Sequence, residues 1–254
     1  MTFAFNSFLL IFGRLSGLFI SAPIFSSRQL PGRMKILIIT LLAGVMTSFV
    51  PVKFAVSLDT PAYFIAAWVL EVFIGYCMGF IAFVVFAAIQ LAGQLMDMQM
   101  GFGMVNVLDP QSGTQIPLMG NFCYLLALLI YLVLNGHHYL LNAVVQSYQI
   151  IPVMGANLGS DFMDLMVRIT VYMFVIAVQI SAPIVVALMI TNVAMGFIAR
   201  TVPQMNVFIV GMPLNIMVGL VTLFVLLPIY IWFMGTLFAK FLEYLDALLL
   251  TMGI

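Results

Sequence analysis

The chain has 254 residues, of which 65% are hydrophobic and 6% charged, whereas soluble domains carry roughly 25% charged residues. Such a chain cannot cover itself in water, and long apolar runs without period-two alternation predict a helical integral membrane protein rather than a β-barrel. The eight basic and eight acidic residues cancel, which leaves neither a nucleic-acid-binding surface nor a polybasic lipid clamp.

Six apolar stretches can be marked, at about 3–25, 36–52, 62–92, 118–134, 162–198 and 207–242. A straight span needs about 20 residues; two stretches fall short of that and three exceed thirty residues. The first contains Arg14 instead of following a basic segment, so no cleavable leader is expected and Met1 is expected to begin the mature chain. Arg28, Arg33 and Lys35 follow it, and the positive-inside rule places that loop in the cytoplasm.

Gly13 and Gly17, and likewise Gly75 and Gly79, are four residues apart inside apolar runs. This spacing lets helix backbones approach closely, either within the chain or against partner subunits. Phe80, Phe83 and Phe86 read as packing, and Cys77 and Cys123 as small core residues with no disulfide or metal spacing. Arg14 and Glu71 are ionisable groups in otherwise apolar runs. Pairing the two would relieve the desolvation of both.

The third stretch leads into a polar, glycine-rich and methionine-rich segment. Gln90, Gln94, Asp97 and Gly101 fall on one helical stripe, and Met96, Met100 and Met104 on its neighbour. A carboxylate at membrane depth must face water, protein or a pore. Methionine beside it offers a compliant seal, or simply fills irregular core gaps. Gly101-Phe102-Gly103 weakens the helix. Asp109-Pro110 reads as a turn or helix start, with Ser112 and Gln115 as a competing capping box, and Pro117 stops whichever forms. Irregular backbone at membrane depth is tolerated only where protein or a water-filled cavity surrounds it. The segment is therefore a cap between two helices at the membrane surface or part of a pore, and the pore reading is preferred, with Gln94, Met96, Asp97 and Met100 as lining or seal.

His137-His138 lacks nearby Cys, Asp or Glu to complete a metal shell and reads as a polar loop. Pro183 in the fifth stretch, and Pro213 and Pro228 in the sixth, predict half-helices. Between these stretches, Arg200, Pro203 and Asn206 form a polar loop that anchors at the membrane surface or contacts a partner. None of the three lysines follows a glycine, so there is no Walker A loop, and neither His-Glu-x-x-His nor Gly-x-Ser-x-Gly occurs. No catalytic constellation, cofactor motif or metal site is expected.

Three blocks carry a resemblance: Gly-Gln-Leu-Met-Asp-Met-Gln-Met-Gly-Phe-Gly at positions 93–103, Leu-Asp-Pro-Gln-Ser-Gly-Thr-Gln-Ile-Pro at 108–117, and Ala-Arg-Thr-Val-Pro-Gln-Met-Asn-Val-Phe-Ile-Val-Gly-Met-Pro at 199–213. With Gly-Arg-Leu-Ser-Gly-Leu at 13–18, they resemble the FliR family, the R subunit of the flagellar type III export gate, over nearly the whole length. The resemblance implies an all-α membrane protein of bent, proline-interrupted helical hairpins, one membrane-embedded domain over 1–254. It implies a non-enzymatic pore subunit in the bacterial inner membrane at the flagellar basal body. P and Q subunits, an FlhB-type switch protein and unfolded flagellar export substrates are the implied partners, besides membrane lipid. It also implies a plug at about 102–117, including Phe102, Met104, Asp109, Pro110, Gln111, Ser112, Gly113 and Thr114. The alternative is a self-contained transporter or proton channel that uses Glu71, Asp97 and Asp109 as a carboxylate relay.

Overall fold

A computed structural model describes residues 2–27, 29–52, 60–103 and 117–253, with side chains from residue 5 onward. Among the described residues seven α-helices follow one another: α1 (Thr2–Ser21), α2 (Gly32–Phe49), α3 (Pro61–Met100), α4 (Leu118–Val133), α5 (Gly136–Ile150), α6 (Ser160–Thr201) and α7 (Val207–Gly253). By length and composition, α2, α3, α6 and α7 can each cross a membrane, and α4 with α5 adds a fifth span if the two are counted together. The protein is therefore an all-α integral membrane protein.

The helices are fewer and longer than simple spans because little in the sequence stops them. α3 is apolar on all sides over most of its length, and its most apolar window is the most buried among the four spanning helices, as expected of a helix with little polar surface to turn outward. Pro183 lies inside α6, and Pro213 and Pro228 inside α7, so these helices run on where half-helices were expected. Proline withholds one backbone donor, here the one that the Gln179 carbonyl would accept, while two hydroxyls bond the carbonyls on either side of it. The Ser181 hydroxyl donates to the Val178 carbonyl at 3.2 Å, and the Tyr230 hydroxyl donates to the Ile180 carbonyl at 2.9 Å.

The chain divides into two compact units, Met1–Val85 with Tyr131–Val171 and Leu237–Ile254, and Phe86–Ile130 with Tyr172–Thr236. In the first unit α1 and α3 run in the same direction and touch through both glycine pairs. A Cβ on Gly17 would fall on the Val72 carbonyl and one on Gly75 on the Arg14 carbonyl, while Gly79 faces Ser21. The close approach is thus made within this chain. Farther along, Tyr131 packs on Phe238 and Phe241, and the Asn157 N–H donates to the Met252 carbonyl at 2.8 Å, which fastens the end of α7.

In the second unit α3 and α4 cross at Gly93 and Gly120, where a Cβ on Gly93 would lie 2.6 Å from the Gly120 nitrogen. The C-terminal half of α6 runs antiparallel to the N-terminal half of α7, with Ile180 opposite Tyr230, Asn192 opposite Asn215 and Met195 beside Gly211. Met96, Cys123, Ile180, Leu223 and Met234 meet in its interior.

Gly75→Ala should therefore destabilise the detergent-solubilised protein by about 1–3 kcal/mol through overpacking of the α1–α3 crossing. Gly44→Ala, whose added Cβ would meet nothing within 4 Å, should be neutral or stabilising by up to about 1 kcal/mol through helix propensity. Thermal unfolding of the two variants side by side checks the contrast.

Candidate functional site

Two polar constructions interrupt an otherwise apolar interior. In the first unit Arg14 on α1 and Glu71 on α3 are both fully buried. The guanidinium meets the carboxylate in a forked pair, Nε donating to Oε2 at 2.6 Å and Nη2 to Oε1 at 3.0 Å. Arg14 Nη1 donates to Ser147 Oγ at 2.6 Å, and Ser147 in turn donates to the Val144 carbonyl. The Tyr148 hydroxyl donates to Glu71 Oε2 at 2.9 Å, while its ring lies 3.7 Å beneath the Arg14 guanidinium carbon. α1, α3 and α5 are thus joined at one point by charge-assisted bonds, which are stronger than neutral ones.

Ser147 and Tyr148 were not among the expected site residues, because α5 was not marked as a helix. His137 and His138, expected in a loop, occupy its first turn. The chain enters α5 through Asn135, which holds φ of 56°, a left-handed conformation that asparagine adopts more readily than most residues. The signal for α5 was nonetheless present: Gly136, Leu140, Ala143, Val144, Ser147 and Tyr148 are its buried residues, spaced as one face of a helix. Among the described residues no group of three His, Cys, Asp or Glu converges in a way that could hold a metal ion.

In the second unit a single residue fastens both ends of the polar segment. α3 stops after Met100 because Gly101 takes φ of +89°, and the Phe102 N–H returns to the Asp97 carbonyl at 3.2 Å. A glycine in that conformation with a six-residue closing bond is a Schellman stop. Asp97 also turns its carboxylate to the start of α4. It accepts the Met119 N–H at 2.9 and 3.1 Å from its two oxygens, and the Gly120 N–H at 3.1 Å. Free N–H groups at a helix start attract negative charge, so Asp97 caps α4 from a distance of more than twenty residues in sequence. Its carbonyl holds one stem of the segment and its carboxylate the other.

The expected lining residues divide on inspection. Met96 and Met100 are buried in the unit's own interior, and Met100 lies where a Cβ on Gly219 of α7 would be. These two methionines fill gaps between helices of this chain, as flexible thioethers do. Asp97 is 6% exposed and occupied by its three bonds, and Gln94 is half-buried. Phe102 is half-buried beside Gly101, whereas Met104, Asp109, Pro110, Gln111, Ser112, Gly113 and Thr114 lie outside the described residues. Arg200 and Pro203 are exposed. Asn206 starts α7, its side-chain oxygen accepting the Phe208 N–H at 3.1 Å and the Ile209 N–H at 3.4 Å, a cap that the sequence pattern alone had left as a loop contact.

With this arrangement in view, comparison with known proteins is decisive. The model of the bacterial export proteins, family 1, matches residues 5–241. The chain belongs to that family. Its relatives include the flagellar biosynthetic protein FliR of Bacillus subtilis (strain 168), 38% identical over 98% of this chain and 97% of the relative. The FliR of Escherichia coli (strain K12) is 29% identical over 89% and 86%, and that of Aquifex aeolicus (strain VF5) 27% over 92% and 90%. As a member of this family the chain is a membrane-embedded protein of flagellar export.

The Arg14–Glu71 pair makes a specific prediction. Removing one member of a buried ion pair costs about 3–5 kcal/mol because the other charge is left uncompensated, whereas apolar replacement of both is often neutral. Arg14→Met alone should sharply lower the yield of folded protein, and Arg14→Met with Glu71→Leu should recover most of it. A double-mutant cycle on denaturation in detergent measures the coupling.

Proposed function

We propose that the chain is a non-enzymatic pore subunit of the bacterial flagellar type III export gate, in the inner membrane at the flagellar basal body. With P and Q subunits it forms the channel through which unfolded flagellar proteins pass, next to an FlhB-type switch protein, and residues 102–117 plug the resting channel. Family membership and the names of the relatives support the apparatus. The plug reading rests on Asp97, at which both stems of the segment meet.

A segment fastened at one point can leave the channel axis without disturbing the two helices it joins. A conduit for unfolded chains must also bind no particular sequence, which suits apolar and neutral polar surface. In this reading Gln94 lines the conduit, while Met96, Asp97 and Met100 form the wall that carries the plug. Phe102 adjoins the stem, and Met104, Asp109, Pro110, Gln111, Ser112, Gly113 and Thr114 supply the body. Arg200 and Pro203 are available to a partner.

The relay alternative requires carboxylates that exchange protons along a path. Glu71 is instead held by Arg14 and Tyr148, and Asp97 by main-chain N–H groups. Glu71→Gln would abolish transport by a relay, whereas in the present reading its effect is confined to stability.

Deletion of residues 109–113 should make membranes containing the assembled gate leak ions, and unchanged tightness in a correctly assembled gate would remove the plug from the proposal. Asp97→Ala leaves the N–H groups of Met119 and Gly120 without their acceptor. Loss of a helix cap costs about 0.5–2 kcal/mol. The variant should assemble and leak to a degree between wild type and the deletion, measured as ion flux per assembled gate. Purification should yield a complex with unlike subunits, where a self-contained transporter would come as a monomer or a symmetric homo-oligomer.

A further inference from the structure

The turn between α4 and α5 places two histidines where a positive charge has no support. Asn135, in its left-handed conformation, makes no side-chain hydrogen bond to the start of α5, and the first turn of that helix holds no acidic residue. The free N–H groups of a helix start carry partial positive charge. No side chain of this turn offsets it. Directly after Gly136 come the imidazoles of His137 and His138, whose ring centroids lie 4.1 Å apart with the planes tilted by 44°.

The surroundings bring no counter-charge. His137 Nδ1 is buried and has no hydrogen-bond partner among the described residues. The titratable group that acts on His137 is His138. On the α4 side a Cβ on Gly136 would fall on the ring of Tyr131, which packs in turn on Phe238 and Phe241 of α7. A phenol is uncharged throughout the range in which histidine titrates. Neither Lys240 nor Glu243, the charged residues that follow on α7, is among the groups acting on His137. Glu71, the carboxylate within the first unit, is engaged by Arg14 and Tyr148. Protonation of the pair is therefore opposed in three ways. In the tautomer that keeps its proton on Nε2, Nδ1 is a bare acceptor, and a second proton makes it a donor with nothing to bond. Either proton adds positive charge at a helix N-terminus, and two adjacent protonated rings repel one another.

We infer that the α4–α5 turn is an acid-sensitive switch: while His137 and His138 are neutral the first turn of α5 is closed, and protonation of the pair opens it. The closed turn is fully favoured above the ordinary imidazole value of about 6.5 and loses ground as pH falls below it. α5 has 15 residues, a length at which helices are marginal without tertiary support, so loosening at its start is not absorbed by a long remainder. The buried face of the same helix brings Ser147 and Tyr148 to the Arg14–Glu71 pair. Acid thus reaches the charge cluster through the helix that completes it. The turn responds in the same way whether or not residues 102–117 plug a channel.

Amide hydrogen exchange on the full chain, purified with its membrane partners, reads the turn directly. Rates for residues 139–141 are compared on the two sides of the imidazole range, at about pH 8 and about pH 5.5, after correction for intrinsic exchange at each pH. A charge at the wrong end of a helix shifts such an equilibrium roughly two- to fivefold. Protection at 139–141 should fall by about that factor for each ring protonated, while the middle of α3, buried and without histidine, keeps its protection. In the double variant His137→Gln with His138→Gln the fall should vanish. Equal protection of the wild type at both pH values overturns the switch. So does a fall of the same size in the double variant, or one shared by α3. Should the double variant fail to fold, each single substitution leaves one imidazole and should reduce the response to that of one charge; an undiminished response in both singles overturns the switch as well.

Discussion

Polar groups within long apolar helices must find partners inside the protein, because the surrounding hydrocarbon supplies none. Charged residues are 6% of the chain, and the buried ones join segments far apart in sequence. Glu71 and Arg14 are 57 residues apart, and Ser147 is 133 from Arg14. Asp97 reaches 22 and 23 residues ahead to Met119 and Gly120. Apolar packing between these helices is adaptable and specifies register weakly. The directional bonds specify which atom of one helix faces which atom of another, as buried polar groups do where they choose a register.

The two constructions do this differently. In the first unit a cation and an anion neutralise one another, and an aromatic face covers the guanidinium. The glycine crossing beside them brings the backbones of α1 and α3 into direct contact. In the second unit Asp97 has no side-chain cation among the described residues, and its counter-charge is the partial positive charge of the α4 N-terminus. The same backbone proximity recurs, with Gly93 and Gly120 allowing the two helices to touch just where the carboxylate reaches across. Close backbone approach and a buried carboxylate form one device, used once in each unit.

Much of this was legible in the residues, and the failures have physical causes. The glycine pairs, the buried charges and the interruption after residue 100 followed from spacing and composition. α5 was passed over because its outward face is polar, with Asn142 and Gln146 among its residues, so average apolarity hid a regular buried stripe. The prolines misled because one missing donor does not by itself end a helix whose remaining bonds continue, as α6 and α7 do through Pro183, Pro213 and Pro228. Met96 and Met100 satisfied a lining pattern and a filling pattern equally, since both need the same side chain at the same spacing. Asp97 was recognised as costly at membrane depth, but a period of 3.6 places residues on a face and says nothing about a helix start more than twenty residues later.

The dual use of Asp97 bears on how the two ends of the polar segment are held. If the two ends of the segment were tied to different residues, displacing its middle would load two independent contacts, and one could yield before the other. With carbonyl and carboxylate on the same residue, strain from either stem arrives at a single point on a helix already fixed by the Gly93–Gly120 crossing and by Met100 against Gly219. The stem contacts are main-chain N–H groups, so side-chain substitutions within the segment leave them in place. The composition of the segment is then independent of its attachment, which depends on Asp97, Gly101 and the first turn of α4. That separation lets a sequence rich in glycine and methionine coexist with a rigid helical frame in one chain.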